Sequence, residues 1–189
     1  MENRRKILAI SGSTRQNSTN HRLIKAITEI STNIFDIQFY NGVALLPHFN
    51  PDNDDENVPQ EVTHFRQLLN EADGVIICTP EYAHGVPGSL KNAIDWTVGT
   101  SEFSHKPTIL ITASTDGKYG HASLLETLRV IEAENIDAMQ LLISFASTKV
   151  SKYNKIIDIQ TLEDIKLILE KFEKTINGNC QEMNHESDQ

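Results

Sequence analysis

The chain has 189 residues, of which 39% are hydrophobic and 23% are charged, values that are typical of a globular protein and exclude global disorder. With 17 Lys and Arg against 26 Asp and Glu, the net charge of −9 argues against a nucleic-acid binder, because an acidic surface repels phosphate backbones. Two cysteines are too few for a disulfide scaffold, no stretch is apolar enough to span a bilayer, and no signal-peptide pattern opens the chain, so we expect a cytoplasmic protein without a membrane partner.

Short apolar runs alternate five times with segments whose apolar residues recur at helical spacing. Such runs are typical of strands that are buried on both faces. Strands are predicted at residues 6–11, 35–40, 74–79, 107–113 and 138–143, and helices at residues 18–30, 59–71, 89–98, 122–134 and 162–176. The alternation predicts an α/β three-layer sandwich with a five-stranded parallel sheet in order 2-1-3-4-5. We expect one domain over residues 1–177 and a flexible tail over residues 178–189.

In a parallel sheet of this kind, ligands bind beyond the C-terminal ends of the strands, where the strand order reverses. The loops after the first, third and fourth strands are therefore the candidate functional segments. The long loop after the second strand, residues 41–59, contains an acidic run over residues 52–56. That run lacks the twelve-residue calcium-loop pattern, so we interpret it as a solvated loop and expect no metal site.

The loop after the first strand is rich in hydroxyl and amide side chains and opens a helix. Ser13, Ser18 and Thr19 offer hydroxyl donors, Arg15 offers a planar cation, and the helix start offers backbone N–H groups. These groups could enclose a phosphate, and a plain polar turn with a helix cap is the alternative. The loop has neither the Gly-Lys-Ser/Thr ending nor the Gly-x-Gly-x-x-Gly fingerprint, so a single terminal phosphate, as on a mononucleotide, fits better.

Two motifs resemble those of a known family. Gly12-Ser13-x-Arg15-x-x-Ser18-x-Asn20 resembles the phosphate loop of the NADPH-dependent FMN reductases, and the sequence Thr-Pro-Glu-Tyr at 79–82, followed by Pro-Gly-Ser-Leu-Lys-Asn-Ala-Ile-Asp-Trp at 87–96, resembles their second signature. The resemblance covers residues 6–143 and implies a flavodoxin-like fold. It also implies an oxidoreductase that passes electrons from NADPH or NADH through FMN to a small acceptor, such as a flavin, a quinone, an azo dye or a metal oxyanion. The alternative is a flavodoxin-like electron carrier without NADPH turnover.

Carried over position by position, the resemblance implies FMN contacts from three loops and no catalytic side chain. The phosphate would be held by Ser13, Arg15, Ser18, Thr19 and Asn20. The ring would be contacted by Pro80, Glu81, Tyr82, Ala83, His84 and Gly85, and the last loop would add Ser114, Thr115, Gly117 and Lys118. The family also implies a homodimer or homotetramer.

Two positions depart from the family pattern. Ala83 stands where the family usually has Asn, so a side-chain hydrogen bond would be missing, and His121 stands near a usual glycine, where it would narrow the entrance to the ring. We interpret Glu81 as a structural hydrogen-bonding residue and Cys78 as a core residue rather than a redox thiol. His84 is the most plausible proton donor near the ring, and a solvated loop histidine is its simpler interpretation.

Overall fold

Five parallel strands form one sheet in a computed structural model that describes residues 4–55 and 57–186, with side chains described as far as residue 178. The strands are β1 (Arg5–Ser11), β2 (Phe35–Tyr40), β3 (Gly74–Thr79), β4 (Thr108–Ala113) and β5 (Gln140–Ile143). Their order is β2-β1-β3-β4-β5, as predicted. Because β1 pairs with both β2 and β3, the order reverses between β1 and β3, and a crevice is expected at that point of the sheet edge.

Helices cover both faces of the sheet. They are α1 (Thr19–Ile30), α2 (Gln60–Glu71), α3 (Gly88–Asp95), α4 (Lys118–Val130), α5 (Ala146–Lys149) and α6 (Ile159–Glu186), with a 3₁₀ helix at Pro51–Asn53. Side chains of a strand alternate between the faces, so Ile7 and Ala9 pack with α1 and α6, whereas Leu8 and Ile10 pack with α2, α3 and α4. The predicted three-layer sandwich is confirmed.

Three helical segments differ from the prediction. Helix α4 begins at Lys118, four residues before the predicted start, and the prediction missed its polar first turn because that turn carries no apolar pattern. Helix α5 was not predicted, since four residues are too few to show a period. Helix α6 extends to Glu186 rather than to residue 176. Residues 187–189 lie outside the described residues, and the flexible tail stays a prediction.

The loop between β2 and α2 is fastened to the end of α3. The indole Nε1 of Trp96 and the amide Nδ2 of Asn92 both donate to the Pro47 carbonyl, at 2.8 and 2.9 Å. The Asn92 Oδ1 atom accepts a hydrogen bond from the Phe49 N–H at 2.8 Å. Trp96 itself is fully buried. Two polar positions of the second sequence motif therefore serve to anchor this loop.

The acidic part of the same loop is only partly solvated. Asp52 is exposed, as expected, but Asp54 forms a largely buried ion pair with Arg66, whose Nη2 lies 2.6 Å from the Asp54 Oδ1 atom. The Arg66 Nε atom also donates to the Trp96 carbonyl at 2.8 Å. The solvated-loop interpretation is therefore wrong for Asp54. Its partner lies on α2, and the local sequence gave no sign of that contact.

The described residues contain neither a membrane-spanning helix nor a cluster of metal-ligating side chains. No helix in residues 4–55 and 57–186 is long and apolar enough to cross a membrane. No group of three or more His, Cys, Asp or Glu side chains in the same residues is placed to hold a metal ion.

Candidate functional site

The loops after β1, β3 and β4 meet in one cleft at the C-terminal edge of the sheet. Its volume is about 330 Å³, within the range of small-molecule sites. The predicted residues that line it are Ser13, Arg15, Ser18, Thr19, Asn20, Pro80, Glu81, Tyr82, Ser114 and Thr115. The lining residues that the sequence did not predict are Ala113, Ala146 and Ser147. The predicted residues that lie outside the lining are Ala83, His84, Gly85, Gly117 and Lys118.

The loop after β1 passes close to the end of β3. The Gly12 N–H donates to the Cys78 carbonyl at 2.9 Å, and a Cβ atom at Gly12 would lie 2.2 Å from the Thr79 Oγ1 atom. No residue other than glycine fits here without moving one of the two strand ends. The close approach brings the first and second loops together as two walls of the same cleft.

Unpaired hydrogen-bond donors collect where this loop enters α1. Ser18 caps the helix, since its Oγ atom accepts from the His21 N–H at 3.1 Å. The N–H groups of Thr19 and Asn20 stand in the first helical turn, where no carbonyl of the helix can accept from them. Arg15 is exposed, and its guanidinium makes no hydrogen bond or ion pair with the rest of the described chain. An anion in the cleft would meet free N–H donors and the positive charge of Arg15.

Asn20 fastens the start of α1 to the sheet. Its Nδ2 atom donates to the Ala113 carbonyl at 3.1 Å, and its Oδ1 atom accepts from the Cys78 thiol at 3.2 Å. Cys78 is fully buried, and burial raises the pKa of its thiol, so the thiolate is disfavoured. The interpretation of Cys78 as a core residue is confirmed, and the Asn20 side chain supports the cleft from below.

His21 holds the other side of the first loop, and the sequence did not single it out. It is buried, its Nε2 atom lies 2.9 Å from the Ser13 carbonyl, and its ring meets Phe39 edge-on at 5.1 Å. Burial lowers the pKa of the imidazole below its usual value. Because a carbonyl oxygen only accepts hydrogen bonds, the ring donates from Nε2 to it. Its position three residues after Ser18, a candidate helix cap, was the signal in the sequence that could have placed His21 beside the loop.

The loop after β3 contains a tight hairpin. Tyr82 and Gly85 exchange backbone hydrogen bonds of 3.1 and 2.9 Å, and the two residues between them, Ala83 and His84, have φ angles of 48° and 58°. Two left-handed central residues define the turn type that favours Asn-Gly. An Asn at position 83 would therefore suit the backbone itself. The departure at Ala83 raises the strain of the turn, which is a different consequence from the lost side-chain bond that we expected.

Glu81 links the second loop to the third. Its carboxylate accepts from the Gly120 N–H at 2.6 Å, and its own N–H donates to the Ser114 Oγ atom at 3.3 Å. Gly120 stands in the first turn of α4, and the residue before that helix, Gly117, has a φ of 94° and no side chain to cap it. The Glu81 carboxylate thus caps α4 from outside. The interpretation of Glu81 as a structural hydrogen-bonding residue is confirmed.

Three side chains at the start of α4 do not line the cleft. The Tyr119 ring lies 4.5 Å from the His84 ring, and the Lys118 ammonium lies 5.8 Å from the Tyr119 ring. His121 is buried, with its Nδ1 atom 2.8 Å from the Thr112 Oγ1 atom and its Nε2 atom 2.8 Å from the Gln140 Oε1 atom. The expectation that His121 narrows the entrance is therefore wrong, because the imidazole joins α4 to the sheet.

The segment after β5 completes the cleft. Phe145, at a φ of 52°, donates its N–H to the Thr115 carbonyl at 3.0 Å, and the Ala146 N–H donates to the Ser114 carbonyl at 3.0 Å. These bonds place Ala146 and Ser147 in the wall. The rule that ligands bind beyond strand ends applies to β5 as well, and applying it to β5 would have predicted Ala146 and Ser147.

A family model for NADPH-dependent FMN reductases matches residues 5–151 of the chain. The chain belongs to the NADPH-dependent FMN reductase family. The match spans all five strands and the four segments that form the cleft. It confirms the resemblance drawn from the two motifs.

Named relatives and solved structures agree with this placement. The chain is 30% identical over 171 residues to the NADH:(hydroxy)cinnamate reductase subunit CrdA of Vibrio ruber, covering 87% of this chain and 84% of that protein. It is 28% identical over 174 residues to a 2-hydroxy-1,4-benzoquinone reductase of Burkholderia sp, covering 88% and 93%. The structure of FerB, a flavoenzyme NAD(P)H:(acceptor) oxidoreductase from Paracoccus denitrificans, aligns with a TM-score of 0.73 at 21% identity, covering 92% and 98%.

Membership of the NADPH-dependent FMN reductase family settles the class of the protein. It is an oxidoreductase with a flavodoxin-like fold, FMN as its cofactor and NAD(P)H as its electron donor. The electron-carrier alternative is not supported.

Proposed function

We propose that the cleft binds FMN with its phosphate against the loop before α1. The observation that carries this proposal is the set of donors on one wall: the first-turn N–H groups of α1, the hydroxyls of Ser13, Ser18 and Thr19, and the unpaired Arg15. The donor set is built for an anion and contains no carboxylate that would repel one. A cleft of about 330 Å³ suits a small ligand that extends toward the other loops.

The opposite wall is proposed to hold the flavin ring. Pro80, Glu81 and Tyr82 line it, and Tyr82 is 55% exposed, so its ring is available for contact with a flat ligand. Ala83, His84 and Gly85 act through the shape of the hairpin, and Gly117 and Lys118 act by setting where α4 begins. These residues are therefore proposed to position the site from behind its surface.

No lining side chain is proposed as a catalytic acid or nucleophile. When bound, FMN supplies two-electron transfer between a reduced nicotinamide and an acceptor. Among the lining residues, the Glu81 carboxylate is occupied by the Gly120 N–H, and Arg15 belongs to the phosphate wall. The chain's own contribution is to bind FMN, to orient it, and to leave one side of the cleft open.

The proposed acceptor is a small planar molecule such as a quinone. Support comes from the exposed Tyr82 ring beside an open cleft and from relatives whose names state benzoquinone and cinnamate reduction. Free flavin, azo dyes and metal oxyanions are the other acceptors to test.

We also propose that the protein is a homodimer or homotetramer. Val98 and Val130 are 55% and 73% exposed beside a groove of about 400 Å³ between the end of α3 and α4. Light scattering on the purified protein tests the assembly, and a monomer at micromolar concentration would contradict it. The cytoplasmic location stays a prediction that cell fractionation tests.

Titration of the apo-protein with flavin tests the site. FMN should bind and should show the visible spectrum of a bound flavin, and riboflavin, which lacks the phosphate, should bind more weakly. Replacing Arg15 with Ala should weaken FMN binding by about 1.5–3 kcal/mol, the scale of a hydrogen bond to a charged group. The matched control is Arg4→Ala, because Arg4 is an exposed arginine at the opposite end of β1.

Turnover then tests the reaction. Continued turnover of NADPH or NADH should require both FMN and an acceptor, and a panel of quinones, free flavin, azo dyes and oxyanions ranks the acceptors. Equal binding of FMN and riboflavin, or an Arg15→Ala variant that binds FMN as the unaltered protein does, would contradict the phosphate assignment.

A further inference from the structure

A second arginine stands behind the proposed phosphate wall. Arg22 lies on α1 one turn after Thr19, and its Nη2 atom donates to the Thr19 Oγ1 atom at 3.0 Å. Its Nε atom is buried and has no hydrogen-bond partner. Arg22 also takes part in no ion pair with the described residues.

This arrangement is unfavourable in the protein without a ligand. A guanidinium stays protonated, and burying part of it without a counter-ion costs free energy. The positive end of the α1 dipole adds to the cost, and the first turn of α1 contains no acidic residue that would offset it. A dianion in the adjoining cleft would supply the missing negative charge.

Thr19 connects Arg22 to that cleft. Because the Thr19 Oγ1 atom accepts a hydrogen bond from Arg22, its hydroxyl hydrogen remains available for another acceptor. Thr19 lines the cleft beside Arg15 and Ser18. Arg22 therefore fixes the hydroxyl as a donor at the wall proposed to bind the phosphate.

We propose that Arg22 is a positioning residue for the FMN phosphate, which acts through Thr19 and supplies a second positive charge behind Arg15. The inference rests on the proposed function. A positioning role for Arg22 has a consequence that a purely structural role would not have. Removing the charge should leave the apo-protein as stable as before or more stable, while it weakens binding of the phosphate.

The test uses Arg22→Gln, with Lys25→Gln as the matched control. Lys25 is an exposed cation on the same helix, so both variants lose one positive charge from α1. Affinities of the apo-proteins for FMN and riboflavin are measured by flavin fluorescence, and apo stability by thermal unfolding. Arg22→Gln should weaken FMN binding about tenfold, leave riboflavin binding unchanged, and leave the apo melting temperature unchanged or raised. Lys25→Gln should change FMN binding by less than about twofold.

A double-mutant cycle tests the route through Thr19. Thr19→Val should weaken FMN binding as well, and the double variant should lose less affinity than the sum of the two single losses, because the two residues act as one unit. Fully additive losses would overturn the route through Thr19.

The remaining outcomes separate this inference from the proposed function. Equal loss of FMN and riboflavin affinity in Arg22→Gln, a lowered apo melting temperature, or an effect no larger than that of Lys25→Gln would overturn the role of Arg22 while the flavin site stands. If the unaltered protein binds neither flavin, the proposed function fails and this inference fails with it.

Discussion

The hydrogen bond from the Gly120 N–H to the Glu81 carboxylate predicts that Glu81→Ala destabilises the apo-protein. The bond is 2.6 Å long, and it caps a helix whose preceding residue, Gly117, has no side chain to do so. A hydrogen bond to a charged group contributes about 1.5–3 kcal/mol, and the lower end applies because the carboxylate is only half-buried. For a chain of 189 residues, about 1.5 kcal/mol corresponds to a decrease in melting temperature of about 3–6 °C.

Thermal unfolding followed by circular dichroism at neutral pH measures this decrease. Glu81→Gln keeps an acceptor oxygen without the charge, so it should lose about half as much stability as Glu81→Ala. Glu170→Ala is the control, because Glu170 is exposed on α6 and its side chain has no hydrogen bond in the described chain. If Glu81→Ala melted at the temperature of the Glu170→Ala control, the cap from outside the helix would be refuted.

Three further predictions concern residues around the cleft. Ala83→Asn should stabilise the protein by about 0.5–1 kcal/mol, because Asn relieves part of the roughly 1–2 kcal/mol that a left-handed residue costs. Ala83→Val should destabilise the protein, and thermal unfolding measures both changes. His121→Ala should lower stability by about 2 kcal/mol or more, since it leaves Thr112 and Gln140 without their partner, but FMN affinity should be unchanged in a titration. For His21, whose pKa burial lowers, stability should fall as the pH falls below the usual value of 6.5, because the unfolded chain then takes up a proton that the folded chain does not.

Controls make these outcomes decisive. The loss below pH 6.5 should level off under the folded-state pKa of His21, and it should be smaller in His21→Asn; equal pH dependence in the two proteins would show that another histidine is responsible. His64→Ala, at an exposed position of α2, is the control for His121→Ala. Weaker FMN binding by His121→Ala would revive the idea that this side chain reaches the ring. An Ala83→Asn variant that melts at a lower temperature would contradict the hairpin geometry.

Features with a local signal in the sequence were predicted well. The fivefold alternation of apolar runs and helical segments predicted the sheet order, and the loops after β1 and β3 predicted two walls of the cleft. Features that depend on partners far along the chain were not predicted. The pairing of Asp54 with Arg66 and the burial of His121 between Thr112 and Gln140 join segments whose contact only the folded sheet creates.

Two further differences come from short-range geometry that the pattern of residue types does not show. Helix α4 begins at Lys118 because Gly117 adopts a left-handed conformation, which moves Lys118 from a loop into a helical turn. The hairpin at Ala83 lacks the Asn-Gly pair that usually marks this turn type. The sequence therefore did not predict the left-handed conformation of Ala83 and His84.

Anaerobic reduction of the FMN-loaded protein tests the central claim most directly. The account predicts that NADPH or NADH bleaches the visible absorbance of the bound flavin, and that adding a quinone restores it with the flavin still bound after gel filtration. A loaded protein whose flavin spectrum is unchanged by both nicotinamides, or whose reduced flavin is not reoxidised by any acceptor of the panel, would contradict it.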